Sequence, residues 1–327
     1  MKKFALAAVA AAALSAGVAQ AYTVGTFSNG FVVPNVIHNG AANTTAVGIV
    51  NRSGITVPVF WTFFDQNSNH GVDGCFGMTN NQYTGFNWAA ASGVGMEGKR
   101  GYLVFAVGAP AAAGGFTAGT AAAAACGGSN QQLAASGAGT AQIAGNAFYV
   151  DVAGKSVAYT PVIDGPLTLL AATTNLTTMV NNSLTSVAGA APIAAAGATT
   201  TSMSLRYFID GTVNSGNDTR ITVWSTGNHS GTHTVNIYDN AQNRQSVNFL
   251  LSESELSWFD PETIPGRPAA YLDGFIDWNP SAAATPLATA VSTEAALATQ
   301  TAGSVVAYST IISPAFGAVQ TLLGAHR

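Results

Sequence analysis

The sequence predicts a mainly β chain built from two tandem antiparallel β-sandwich units with a connecting helix between them. Three observations predict it. Short apolar segments alternate with a period of two. Clusters of Gly, Asn and Ser punctuate them. One segment of the chain also recurs in pattern further along, at a constant offset.

The chain begins with an export signal. Lys2 and Lys3 form a positive start, residues 4–18 are apolar, and Ala19-Gln20-Ala21 is an A-x-A cleavage site before Tyr22. The apolar run is shorter than the about 20 residues that span a bilayer. Residues 1–21 are therefore expected to be removed, leaving a chain in the periplasm, at the cell surface or outside the cell. No later stretch reads as a transmembrane helix.

The repeat sets the domain organisation. Residues 45–69 read TAVGIVNRSGITVPVFWTFFDQNSN, and residues 219–243, offset by 174, read TRITVWSTGNHSGTHTVNIYDNAQN. Val47 and Ile49 face Ile221 and Val223; Trp61 and Phe63 face Val235 and Ile237. Both copies end on an Asp, Asp65 or Asp239, before an Asn-containing turn. Residues 31–37 match 204–209 upstream, and residues 154–159 resemble 303–308 downstream. The alternation in Ile221-Thr222-Val223 and in residues 234–237 is that of a strand with one buried face. The expected units are 22–165, with an Ala/Gly-rich insert at 109–145, and 202–327, with an Ala-rich insert at 281–303.

The segment 166–201 is expected to start as a helix. Asp164 could cap it and Pro166 suits a first turn. Leu169, Leu176, Met179, Val180, Leu184 and Val187 recur at three- and four-residue spacing, so one face would cover a sandwich.

The order strand, polar Gly-containing turn, strand, Asp-initiated turn, strand resembles the bacterial immunoglobulin-like or fibronectin-like architecture. The resemblance covers the β segments only, and a core Trp beside an inter-sheet disulfide is not evident. The chain also looks like exported bacterial proteins with such tandem repeats, a resemblance that implies a sandwich fold and no activity.

Composition narrows the partners. Charged residues make up 8% of the chain, and its net charge of −4 becomes −6 when Lys2 and Lys3 leave with the signal. There is no basic patch for nucleic acid and no polybasic segment for an anionic membrane. A surface with so few charges repels its copies weakly, so self-association or contact with a cell-surface polymer is the expected kind of partnership.

Cys75 and Cys126 are the two cysteines. In an oxidising compartment an even pair predicts one disulfide, closing a loop of about 50 residues worth roughly 4 kcal/mol. Neither lies in a C-x-x-C motif.

Candidate sites are few. Asp65, Asn67, Asn69 and Asp73 alternate oxygen-bearing side chains as a weak Ca²⁺ loop would. The spacing resembles the start of an EF-hand loop, but Gly71 falls one position late and Phe76 stands where a bidentate Glu is needed. The competing reading is a turn in which Asp and Asn bond their own backbone. Ala241 replaces Asn67 in the second copy, which favours the turn.

His229 and His233 have metal-pair spacing for a helix, but their context is a β-turn. Asp273 and Asp277 share one strand face about 13 Å apart, too far for a glycosidase pair. Trp88, Trp258, Trp278 and Tyr271 could stack on sugar rings if they shared an exposed face. No nucleophile elbow, P-loop or dinucleotide fingerprint is present.

The expected function is a non-catalytic structural or interaction protein of the envelope or cell surface, with no cofactor. The alternative is a carbohydrate- or calcium-dependent binding module. A secreted hydrolase stands third.

Overall fold

The computed structural model describes residues 25–109, 126–152, 154–173, 175–193, 201–210, 218–282, 284–285, 287, 303–313 and 318–326. Residues 1–24, which include the expected export signal, residues 110–125 of the first insert and most of the second insert lie outside them.

The first unit comprises β1 (Gly30–Val36), β2 (Asn43–Asn51), β3 (Val57–Asp65), β4 (His70–Met78), β5 (Tyr83–Asn87), α1 (Trp88–Ala91), β6 (Gly101–Val107), β7 (Ile143–Asp151), β8 (Ser156–Thr160) and β9 (Ile163–Asp164). A link follows with β10 (Leu167–Leu169), β11 (Leu184–Val187) and β12 (Ala191–Ile193). The second unit comprises β13 (Met203–Phe208), β14 (Asp218–Ser225), β15 (Gly231–Asp239), β16 (Arg244–Leu251), β17 (Leu256–Phe259), β18 (Asp273–Trp278), β19 (Gly303–Ser313), β20 (Ala318–Leu323) and β21 (Ala325–His326).

The chain is mainly β, and its sheets are antiparallel. Sheet I has the order β4-β3-β6-β1-β9, and sheet II the order β5-β2-β7-β8. Sheet III runs β17-β14-β19, with β12 and β20 sharing the far edge of β19. Sheet IV has the order β16-β15-β18-β13-β21. Strand for strand, sheet IV repeats the order of sheet I, and β17-β14-β19-β20 repeats that of sheet II.

The offset of 174 places β14 on β2 and β15 on β3. Val47, Ile49, Trp61 and Phe63 enter the first core, and Ile221, Val223, Val235 and Ile237 enter the second. The downstream flank is a correction. Residues 154–159 fall largely on β8, but residues 303–308 fall on β19, whose counterpart is β7. The shared Gly-x-x-Val-Ala-Tyr pattern reflects strand composition, not equivalent position.

The pairings of the second strand with the fifth and the third with the sixth are those of an immunoglobulin sandwich. The first and seventh strands, however, are exchanged between the sheets: β1 pairs with β6, and β7 with β2.

Three hydrophobic cores stack four sheets in the order II, I, III, IV. The first core lies between sheets II and I, and the second between III and IV. The third holds the units together: Val32, Phe60, Phe64, Tyr102 and Val104 of sheet I meet Trp224, Leu256, Val306 and Tyr308 of sheet III. Sheets I and III are therefore covered on both faces.

Sequence shows the cause. β6 reads GYLVFAV and is buried throughout, and β3 reads VPVFWTFF before its final Asp. Outer strands alternate instead: β15 and β16 bury every second residue along most of their length.

The expected helix over the start of 166–201 is not formed. β10 and β11 pair as a small hairpin, with one short 3₁₀ turn at Leu176–Thr178 between them. Thr168, Thr173, Thr177 and Thr178 are β-branched and disfavour a helix. The apolar residues spaced as on a helix instead dip one by one into the inter-unit core, Leu176, Met179, Leu184 and Val187 among them. Asp164 caps nothing; it is buried in β9 and accepts the Thr26 amide at 2.8 Å.

Cys75 on β4 and Cys126 lie at disulfide distance, their sulfurs 2.04 Å apart and their Cα atoms 6.0 Å apart. In the second insert Ser292-Thr293-Glu294 with the neighbouring Ala and Leu residues favours a short helix by sequence, and that stretch lies outside the described residues.

Candidate functional site

The most site-like place is a cavity of about 330 Å³ at one end of the seam between the units. The loop after α1 delivers Arg100 to it just before β6 begins. β14 delivers Arg220, and β17 delivers Trp258. Asn35, Tyr149 and Asp151 close the first-unit side.

The Arg100 guanidinium lies 4.1 Å from the centroid of the Trp258 ring, and that of Arg220 5.4 Å from it. Arg220 is ion-paired with Asp218 and, at 2.7 Å, with Asp260. Arg100 donates to Asn35 Oδ1 at 2.7 Å. Among the described residues no carboxylate lies within ion-pair distance of Arg100. Burial lowers its pKa, partly offset by the phenols of Tyr308 and Tyr149.

Asp218, Asp260 and Glu262 bring their carboxylate oxygens within 4.8 Å of one another. Arg220 already balances two of the three. Burial first, then Asp260, raises the pKa of Asp218.

In the candidate calcium loop Asp65, Asn67 and Asn69 share one turn, and Asp73 lies in β4. Asp65 Oδ1 accepts the amides of Asn67 and Asn69 at 2.9 and 3.0 Å. Asp73 stands eight residues on in β4, beside His70 at 3.4 Å. The second copy makes the same turn: Asp239 Oδ1 accepts the amides of Ala241 and Asn243 at 3.0 and 2.8 Å. Ser68 and Gln242, at equivalent positions, both take positive φ, 60° and 68°. Since Ala241 serves where Asn67 stands, the turn does not need that side chain.

His229 and His233 are buried in the second unit. Trp278 Nε1 donates to His233 Nδ1 at 3.3 Å, so the other ring nitrogen carries the proton and donates to the His229 carbonyl at 3.0 Å. Burial lowers both pKa values, that of His229 to about 4.

Asp273 and Asp277 do share the outer face of sheet IV with Phe275; they bind Arg206 and Ser202 respectively. Of the four aromatics that could have formed a stacking face, Trp88, Trp278 and Tyr271 are buried in the cores, and Trp258 alone is exposed, at 38%.

The chain matches no protein-family model, no curated protein and no solved structure. Arg100, Arg220, Asn35 and Tyr149 were not legible as a group. The available signal was the scarcity of cations, 11 Lys and Arg in the whole chain, which makes Arg220 conspicuous next to the apolar Ile221, Val223 and Trp224 of β14.

Proposed function

We propose that this chain is an exported, non-catalytic structural or interaction protein of the bacterial envelope or cell surface. The observation that carries the reading is the outer face of sheet II. Tyr83 is 64% exposed there, Val157 59% and Phe148 39%, with no charged side chain among the outward positions of its four strands. Exposed apolar surface of this kind marks an interaction site. The export signal and the low overall charge point the same way.

Fractionation of the native organism tests the reading. Sedimentation with the envelope is the expected result. Recovery of all the protein from the soluble fractions would overturn the envelope assignment.

A second reading rests on the cavity. A polyhydroxylated ligand such as a saccharide unit both donates and accepts, matching the mixed set of Arg100, Asn35, Tyr149 and Asp151 around the edge of Trp258. Titration with a panel of monosaccharides, following Trp fluorescence, should show saturable binding that Trp258→Ala abolishes. No change across the panel would remove this reading.

A further inference from the structure

The seam inside the chain shows what the outer face of sheet II is suited to meet. By register, Val50 pairs with Tyr83 and Ala144, and Trp224 pairs with Leu256 and Val306. The offset of 174 makes these triplets equivalent. In the second unit the triplet is buried against sheet I, with Tyr102 edge-on to Trp224 at 5.7 Å. In the first unit the same positions lie on the outer face, with Tyr83 exposed, Val50 half-buried and Ala144 buried, so the face that is covered in the middle of the stack meets no further sheet among the described residues at this end.

The other end is different. On sheet I, Val32 pairs with Val104 and Val104 with Thr62. The equivalent row of sheet IV is Ser204, Asp277 and Asn236, with Arg206 and Asp273 on the same face. Polar replacement makes that face a cap of the kind that ends a repeat array.

We infer that the outer face of sheet II is a self-association surface, occupied by the same face of a second copy in a two-fold dimer. Head-to-tail stacking on sheet IV would strip Arg206, Asp273 and Asp277 of water against a face with no charge to answer them. Like-with-like pairing buries no charge, and isologous contacts are the commonest closed form of assembly.

The relief of the face suits this. Tyr83 leans over Gly48, its hydroxyl 2.9 Å from where a Cβ would sit, and neighbouring Gly85 opens onto empty space. The Asn146 amide also lies over Gly48, so the open step of the face is at Gly85 beside the ridge of Tyr83, where a partner's ridge can fit. The inference rests on the interaction-protein reading and names its partner.

Sedimentation equilibrium of the exported protein across a wide dilution series tests it. The wild type is expected to be a dimer. Phe148→Lys and Val157→Lys, both at exposed positions, should each weaken it at least about 30-fold with unchanged circular dichroism and thermal midpoint. Ser246→Lys, on the outer face of sheet IV, should leave the dimer intact.

A wild type that is monomeric at every concentration overturns the inference. So does a dimer that both lysine variants preserve, or one that Ser246→Lys dissolves. The envelope reading fails separately: a soluble dimer sinks that assignment and supports this one, and an envelope-bound monomer does the reverse.

Discussion

At the scale of single residues, two buried titratable groups pull stability in opposite directions with pH. His229 is held neutral by burial, its pKa about 4 against 6.5 for the free ring. The unfolded chain binds the proton first, so stability is lost as pH falls from about 6.5 towards about 4. Asp164 is pushed up to about 6 from 3.8, chiefly by burial, against which the amides of Thr26 and Gly25 act. There the folded state binds the proton first, so stability is lost as pH rises through that window. His229→Gln and Asp164→Asn separate the two. Denaturation midpoints measured from neutral pH to pH 4 should show the wild type losing ground to His229→Gln as pH falls. They should show it gaining ground on Asp164→Asn. Parallel curves for either variant would mean that the group does not titrate differently on folding.

The same scale shows what patterning conceals. The Asx-type turns at Asp65 and Asp239 were legible as turns because Asp and Asn satisfy their own backbone. The tautomer of His233 was not, because Trp278 arrives from 45 residues away.

At the scale of elements, register does the specifying. Gly101 begins β6 and Gly274 lies in β18, each opposite an Asp, Asp65 or Asp239. A Cβ at Gly101 would sit 2.0 Å from the Phe64 carbonyl oxygen, and one at Gly274 1.8 Å from that of Tyr238. Phe64 and Tyr238 are themselves 174 residues apart, and each stacks on the ring that follows the glycine: Tyr102 at 5.2 Å, Phe275 at 4.7 Å. Both units therefore need the close approach of backbones that only glycine permits. Gly101→Ala and Gly274→Ala are each expected to cost on the order of 3 kcal/mol, read from denaturant midpoints. Alanine tolerated at both positions would show that the pairing can shift there.

The link between the units is where element-level reasoning failed. Three- and four-residue spacing describes a helix only if local propensity agrees. Here threonines and asparagines opposed it, and the spacing came from a meander that touches the seam at intervals.

At the scale of the whole molecule, the seam joins the units into one stack. Trp224 is fully buried against Tyr102, and the Tyr102 hydroxyl donates to the buried Glu255 at 2.5 Å. Trp224→Ala should cost about 3–5 kcal/mol. It should also speed proteolytic cleavage within residues 166–201, whose hairpin packs on the same core. Cleavage at the wild-type rate would mean that the units hold together without this residue.

The sequence by itself determined the strands, the turns, the cysteine pair and the equivalence of two segments, because each depends on neighbours a few residues away or on composition. The seam residues were visible only as unusually continuous apolar runs in β3 and β6. That two sheets would bury both faces, that β1 and β7 would exchange sheets, and that Arg100 and Arg220 would converge on Trp258 were decided by tertiary structure. Those contacts join residues far apart in the chain, and no local pattern encodes which covered face meets which.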